Sequence, residues 1–193
     1  LIDSPTAGTL PQQNYAVDTR LYPNGGILFG VGIGLLSRLM VEVYYGGENI
    51  IGEGGINWNP LIGVDVRVRV IDESLVFPGI AVGFSSQGLE GYNDPVDRYR
   101  LKSKGFYLVA SRNYNMLGNL GLHGGVNRSF EDDDGDEDLN FFIGLDKQLI
   151  GSLEFIVDYD FALNDNETES FGQNNGYFNV GLRWTIAQQL HVE

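Results

Sequence analysis

The chain has no cysteine and only two histidines among its 193 residues. The first absence removes disulfides, thiolate nucleophiles and zinc–thiolate sites together. The second leaves little room for an imidazole-based metal cluster. Basic side chains are scarce: 12 Lys and Arg stand against 26 Asp and Glu, a net charge of -14. Polyphosphate needs cationic side chains to displace its counterions, so the balance argues against a nucleic-acid partner. Proline is sparse at 6, and the 27 glycines follow no G-X-Y period beside 10 Tyr and 11 Phe. Neither collagen nor a disordered tail has that composition. Mean hydropathy is -0.11, and no run of 18 apolar residues occurs, so no helix can span a bilayer. A barrel escapes that argument, because alternating strands average to near-neutral hydropathy. The length fits one domain. The opening Leu1-Ile2-Asp3 shows no basic region followed by an apolar one, as a processed or truncated product would begin.

What the chain does have is alternation. Ile27, Phe29, Val31, Ile33 and Leu35 alternate with Leu28, Gly30, Gly32 and Gly34. That is the period of a strand with one large apolar face and one nearly bare face. Ile62, Val64, Val66, Val68 and Val70 likewise oppose Gly63, Asp65, Arg67 and Arg69. A helix would scatter those charges, and β-branching favours a strand. The same pattern predicts strands from Tyr15 to Leu21, Leu39 to Tyr45, Val76 to Ser85, Leu120 to Asn127, Leu139 to Asp146, Leu153 to Phe161 and Phe178 to Ile186. An extended stretch from Arg98 to Tyr114 makes ten strands, and no amphipathic helix of three turns emerges. Tight turns near Ser37, Asp72 to Ser74, Asn115 to Asn119, Leu149 to Ser152 and Gln188 alternate with long links at 47–60, 86–97, 131–138 and 164–176. The short Pro23-Asn24-Gly25-Gly26 turn is the exception to that order.

Two architectures carry such strands. A soluble sandwich turns the apolar face inward; a membrane barrel turns it toward lipid and encloses the polar face. Three features favour the barrel. The polar faces combine bare Gly with charges of both signs: Asp18, Arg20, Glu42, Asp65, Arg67, Arg69, His123, Glu154, Asp158, Asp160 and Arg183 are the expected lumen network. Gly weakens an exposed strand but makes room inside a narrow barrel. Short and long connections alternate, and aromatics such as Tyr15, Tyr22, Tyr45, Phe84, Tyr159, Phe161 and Trp184 sit near strand ends, as interfacial girdles do. The expectation is therefore an all-β, antiparallel, up-and-down transmembrane β-barrel forming one domain over 1–193. Residues 1–13 are expected as a periplasmic lead, and 189–193 as the start of an eleventh strand. A mature barrel usually ends in a strand closing on an aromatic residue, and twelve strands are expected in the complete protein.

Leu1-Ile2-Asp3-Ser4-Pro5-Thr6-Ala7-Gly8-Thr9-Leu10-Pro11 resembles the start of the YjbH-like outer-membrane barrels associated with exopolysaccharide production. Leu21-Tyr22-Pro23-Asn24-Gly25-Gly26, Tyr45-Gly46-Gly47-Glu48-Asn49-Ile50 and the stretch from Asn119 to Asn127 resemble a broader group of uncharacterised bacterial outer-membrane barrels. These motifs are structural and bring no catalytic signature. The resemblance implies a bacterial outer-membrane location, lipid and lipopolysaccharide as surroundings, other envelope proteins as partners and a role near polysaccharide export.

Few constellations suggest chemistry. Asp132, Asp134, Asp136 and Asp138 alternate around Gly135, and clustered carboxylates suit Ca²⁺, a hard cation that takes six to eight oxygens. The EF-hand order is broken, so the plainer expectation is a solvated acidic loop. Asp158 and Asp160 point the same way on one strand, roughly 6.5–7 Å apart, which invites a split of acid and base roles. Pairing with Arg67, Arg69 or Arg183 across a lumen explains them more simply. No serine occupies a G-x-S-x-G elbow. Gly30, Gly32 and Gly34 lie within a strand, where a dinucleotide fingerprint does not belong. Asn166-Glu167-Thr168 matches a glycosylation acceptor, which means little in a bacterial protein. Trp58, Tyr92 and Phe171 are loop aromatics able to stack on sugar or on their own loop. Three functions follow: a non-enzymatic outer-membrane barrel acting as scaffold, export accessory or narrow channel; a barrel hydrolase at the outer rim; and a secreted sandwich binding carbohydrate with Ca²⁺.

Overall fold

Every strand of the main sheet pairs antiparallel with its neighbours. The computed structural model describes residues 1–166, 175–186 and 190–192. In chain order the strands are β1 (Tyr15–Tyr22), β2 (Gly26–Leu36), β3 (Leu39–Glu48), β4 (Asn57–Trp58), β5 (Gly63–Ile71), β6 (Gly79–Ser85), β7 (Leu89–Asn93), β8 (Arg98–Leu101), β9 (Gly105–Asn115), β10 (Asn119–Arg128), β11 (Asn140–Ile150), β12 (Leu153–Asp160), β13 (Tyr177–Ile186) and β14 (Leu190–Val192). The main sheet runs β1-β2-β3-β5-β6-β9-β10-β11-β12-β13-β14, with β4 added to β3, while β7 and β8 form a separate hairpin. The fold is all-β; among the described residues its one helical element is a 3-10 turn at Asp94–Val96.

The alternation read from the sequence reappears as burial. Along β13, Phe178, Val180, Leu182 and Trp184 are exposed and the intervening residues are half-buried. Along β2, Phe29, Val31 and Ile33 are exposed while Gly30, Gly32 and Gly34 are buried. Most large apolar side chains thus look outward, while glycine and polar side chains look inward together with a smaller apolar set, Leu28, Met40, Tyr107, Val109, Phe142 and Ile156. This is the reverse of a sandwich, whose dry centre takes the apolar face. Val180 is 57% exposed, and one antiparallel sheet replaces the two packed layers a sandwich requires.

Several expectations are corrected. The sheet is not closed: among the described residues β1 and β14 exchange no hydrogen bonds. The main path holds eleven antiparallel strands, so β1 and β14 point the same way, which does not suit antiparallel closure. The stretch from Arg98 to Tyr114 is two strands. Gly105, at φ 59°, turns the chain, and its hydrogen side faces the Arg128 carbonyl with no space for a Cβ. β8 leaves the sheet to pair with β7, which rises from what reads as a plain loop at 86–97. Ile62, Val76, Leu139 and Phe161 lie outside the strands expected to hold them; β5 starts at Gly63, β6 at Gly79 and β11 at Asn140, and β12 ends at Asp160. Gln188 and Phe171 lie outside the described residues.

Candidate functional site

The inward face is filled by the chain's own beginning. Leu1 to Pro11 runs along it instead of trailing outside as a lead. The Ile2 and Asp3 amides donate to the Asp158 carboxylate on β12, at 3.4 and 3.3 Å. Arg20 on β1 donates to the Asp3 carboxylate and, at 2.5 Å, to the Ile2 carbonyl. Asn179 on β13 donates to the other Asp3 oxygen at 3.0 Å. The Ala7 amide donates to Ser111 Oγ on β9 at 2.8 Å, and Arg67 on β5 donates to the Gly8 carbonyl at 3.1 Å. Glycines clear the path: a Cβ at Gly34 would overlap the Pro11 carbonyl, one at Gly144 would overlap Leu1, and one at Gly181 would lie 3.1 Å from Ile2. One extended segment touches the same face of strands from β1 to β13. The sheet must therefore curl around it, and Asp3 alone bridges its first and tenth long strands.

The expected lumen residues separate into groups. Glu42 and Asp65 are buried. Asp65 lies 3.7 Å from Arg67, whose Nε donates to Tyr107 Oη at 2.9 Å, so these three form an enclosed cluster. Arg20, Asp158 and Asp160 also face inward, but none of the arginines expected to hold Asp158 and Asp160 does so. Asp158 takes the lead's amides. Asp160 pairs with Lys104 and accepts from Asn140 at 2.6 Å and from the Ala162 amide at 2.8 Å. Arg67 instead meets Tyr107 and the Gly8 carbonyl, Arg69 reaches the rim, and Arg183 pairs with Glu154. Asp18 shares the inward face but is exposed, because β1 is the sheet edge. Arg69 reaches to the short-turn rim, pairing with Asp72 at 3.1 Å and donating to the Ser37 carbonyl at 3.2 Å. Arg183 and Glu154, 3.5 Å apart, pair directly across β12 and β13 near the same rim.

A polar ladder escaped the sequence reading. Ser111, His123 and Asp146 lie on the consecutive strands β9, β10 and β11. His123 Nδ1 is 2.8 Å from Ser111 Oγ and Nε2 is 2.6 Å from Asp146 Oδ1. The residue types are those of a hydrolytic triad. However, the Ala7 amide already binds Ser111 Oγ, and the lead lies where a substrate carbonyl would approach. The only sequence signal was register: His123 stands opposite Ser111 and Gly144 once the strands are aligned.

The long-loop rim carries a cap. Arg98 on β8 is buried and donates to Asp165 at 2.8 Å and to Asp134. Lys102 donates to Asp134 at 2.7 Å and to the Asp136 carbonyl at 3.1 Å. Glu131 accepts from the Tyr99 amide at 2.9 Å and the Ser103 amide at 3.1 Å. Burial pushes the Glu131 carboxyl above the usual range despite those donors. Burial would also raise Asp134, but Lys102, the Asp136 amide and Arg98 outweigh it and hold its carboxyl below the usual range. Of the acidic loop expected as a Ca²⁺ site, Asp134 binds these cations and Asp136 accepts from the Asn166 amide at 3.2 Å. Asp132 and Asp138 do not join them around a common point: among the described residues no group of three or more acidic, His or Cys side chains is placed to hold a metal ion. The loop aromatics fold onto their neighbours: Trp58 stacks on Tyr45, ring centroids 5.6 Å apart, and Tyr92 meets Tyr99 edge-on at 5.0 Å.

The chain matches no family model, no curated protein and no solved structure.

Proposed function

We propose that this chain is a non-enzymatic bacterial outer-membrane protein: a lipid-facing β sheet of barrel type, serving as scaffold or export accessory around a narrow, filled interior. One observation carries the reading. The convex face exposes large apolar side chains on strand after strand, while the concave face buries Glu42, Asp65, Asp158 and Asp160. In water that arrangement exposes far more contiguous apolar surface than a soluble monomer carries. In a bilayer the outward band meets acyl chains and the charges stay enclosed. Two further features agree. Most of the long strands have eight to eleven residues, close to the ~9–11 that cross a bilayer when tilted. Aromatic contacts cluster at the long-loop rim, among Phe84, Phe106 and Phe130 and between Tyr159 and Phe161. The resemblance of the first eleven residues to exopolysaccharide-associated barrels supports the export role.

An open edge in lipid leaves backbone groups unpaired at several kcal/mol each. The reading therefore requires the β1 and β13–β14 edges to be paired in the membrane. The test is reconstitution. The folded chain is expected to need detergent, to float with liposomes and to migrate faster on a gel when unheated. A monodisperse chain in plain buffer would overturn the reading, and labelling of Ser111 by a fluorophosphonate would overturn its non-enzymatic part.

A further inference from the structure

We propose that residues 1–11 are a releasable plug: they leave the concave face by swinging about the turn at Gln12–Gln13 and open the interior from the short-turn rim. The inference deepens the membrane reading above and names a moving part within it. The plug adds no strand to the sheet. Its backbone enters the pairing only at the turn, where Gln13 donates to the Gly34 carbonyl at 2.8 Å and Gly34 donates to the Asn14 carbonyl at 2.9 Å. Gln13 has a φ of 66°, a left-handed conformation uncommon for a residue with a side chain. That turn, closed by the Asn14 amide on the Pro11 carbonyl at 3.1 Å, folds the segment back into the curl.

The hold on the segment is polar over much of its length. Leu1 and Ile2 pack over Gly144 and Gly181 and Ala7 is buried beside Ala81, Tyr107, Val109 and Phe142, but from Ser4 to Thr9 every side chain is small, so that stretch buries little apolar area. Ser4 Oγ and Thr9 Oγ1 are buried without a hydrogen-bond partner among the described residues, a cost that water removes once the segment leaves. The amide bonds to Asp158 are long, and the anchors are Asp3 with Arg20 and Asn179, Ala7 with Ser111, and Gly8 with Arg67. The wall strands, by contrast, keep all their mutual pairing without it. Above the segment, Lys104, Asn127, Asn140 and Asp160 form a separate bonded layer, so release opens a vestibule below that layer.

The absence of native cysteine makes the test clean. Gly181→Cys places a reporter thiol under Ile2. Ala7→Cys with Gly79→Cys places a lock: a Cβ at Gly79 lies 3.7 Å from the Ala7 Cβ, within the ~3.5–4.5 Å a disulfide needs. The reporter's reaction with a polar maleimide is measured on the folded chain, in detergent or in buffer. Oxidising the lock is expected to slow labelling by about tenfold or more, and reduction to restore it, because only the locked segment cannot open locally. Deletion of residues 1–11, or Asp3→Ala, is expected to speed labelling. Equal rates in the locked and unlocked chains would overturn the proposal. So would a deletion variant that cannot fold, since the segment would then be core and not plug. Liposome flotation of the same samples reports on the membrane reading separately.

Discussion

In the wall, β2 buries its glycines and β13 half-buries Asn179 and Arg183, while Phe29 and Trp184 stand exposed on the other side. In the cap, β8 buries Arg98 against carboxylates from two different loops. The wall is built from neighbours in register, one strand to the next. The cap is built from charges brought together over 36 and 67 positions of chain. A periodic surface tolerates loss of one side chain better than a buried ionic cluster does. In the cluster, removing one partner strands a charge out of water.

That contrast sets an order of effects. Arg98→Ala leaves Asp134 and Asp165 without their shared cation and is expected to cost about 3–5 kcal/mol. Limited proteolysis should cut 89–103 and 129–139 in this variant while β1–β6 survive; an equally weakened wall would erase the distinction between the two regions. Val180→Lys, at mid-strand on the convex face, is expected to cost ~2–4 kcal/mol in a bilayer but within about 0.5 kcal/mol in water. Unfolding in detergent and lipid against buffer separates the two settings.

The cap should also respond to pH. Asp134, held low, contributes stability that is present above its unfolded value and lost as pH falls below about 4. Glu131, held high, works oppositely: its stability is present below its unfolded value and lost as pH rises through the folded one. The protection factor of the Tyr99 amide, taken against intrinsic exchange at each pH, is expected to fall in acid, and Asp134→Asn is expected to flatten that acid limb. An unchanged limb would place the sensitivity elsewhere. The smallest effect belongs to Arg38→Ala at the short-turn rim. Its pairing with Asp72 is half-exposed and worth about 0–1 kcal/mol, so thermal unfolding should barely move.

Most of the wall was legible beforehand because register repeats every two residues. Ile27 to Leu35 and Ile62 to Val70 announce their strands and the apolar face of each, and Asp65 lies 3.7 Å from Arg67 on the face opposite the valines. The cap was not legible. Arg98 and Lys102 look like ordinary polar strand residues, and Asp132 to Asp138 looks like a solvated loop, since nothing local says that one neutralises the other. His123 with Ser111 and Asp146 needed the alignment of three strands. The course of Leu1 to Pro11 had no periodicity to betray it.

The amino-acid order alone thus determined an all-β chain of alternating polarity, because side-chain direction along a strand is a local property. Whether the curl closes, which carboxylate meets which cation, and what fills the concave side were decided only in three dimensions. Those depend on which distant groups meet at the same point, and there the Ile2 and Asp3 amides, not the arginines, meet Asp158.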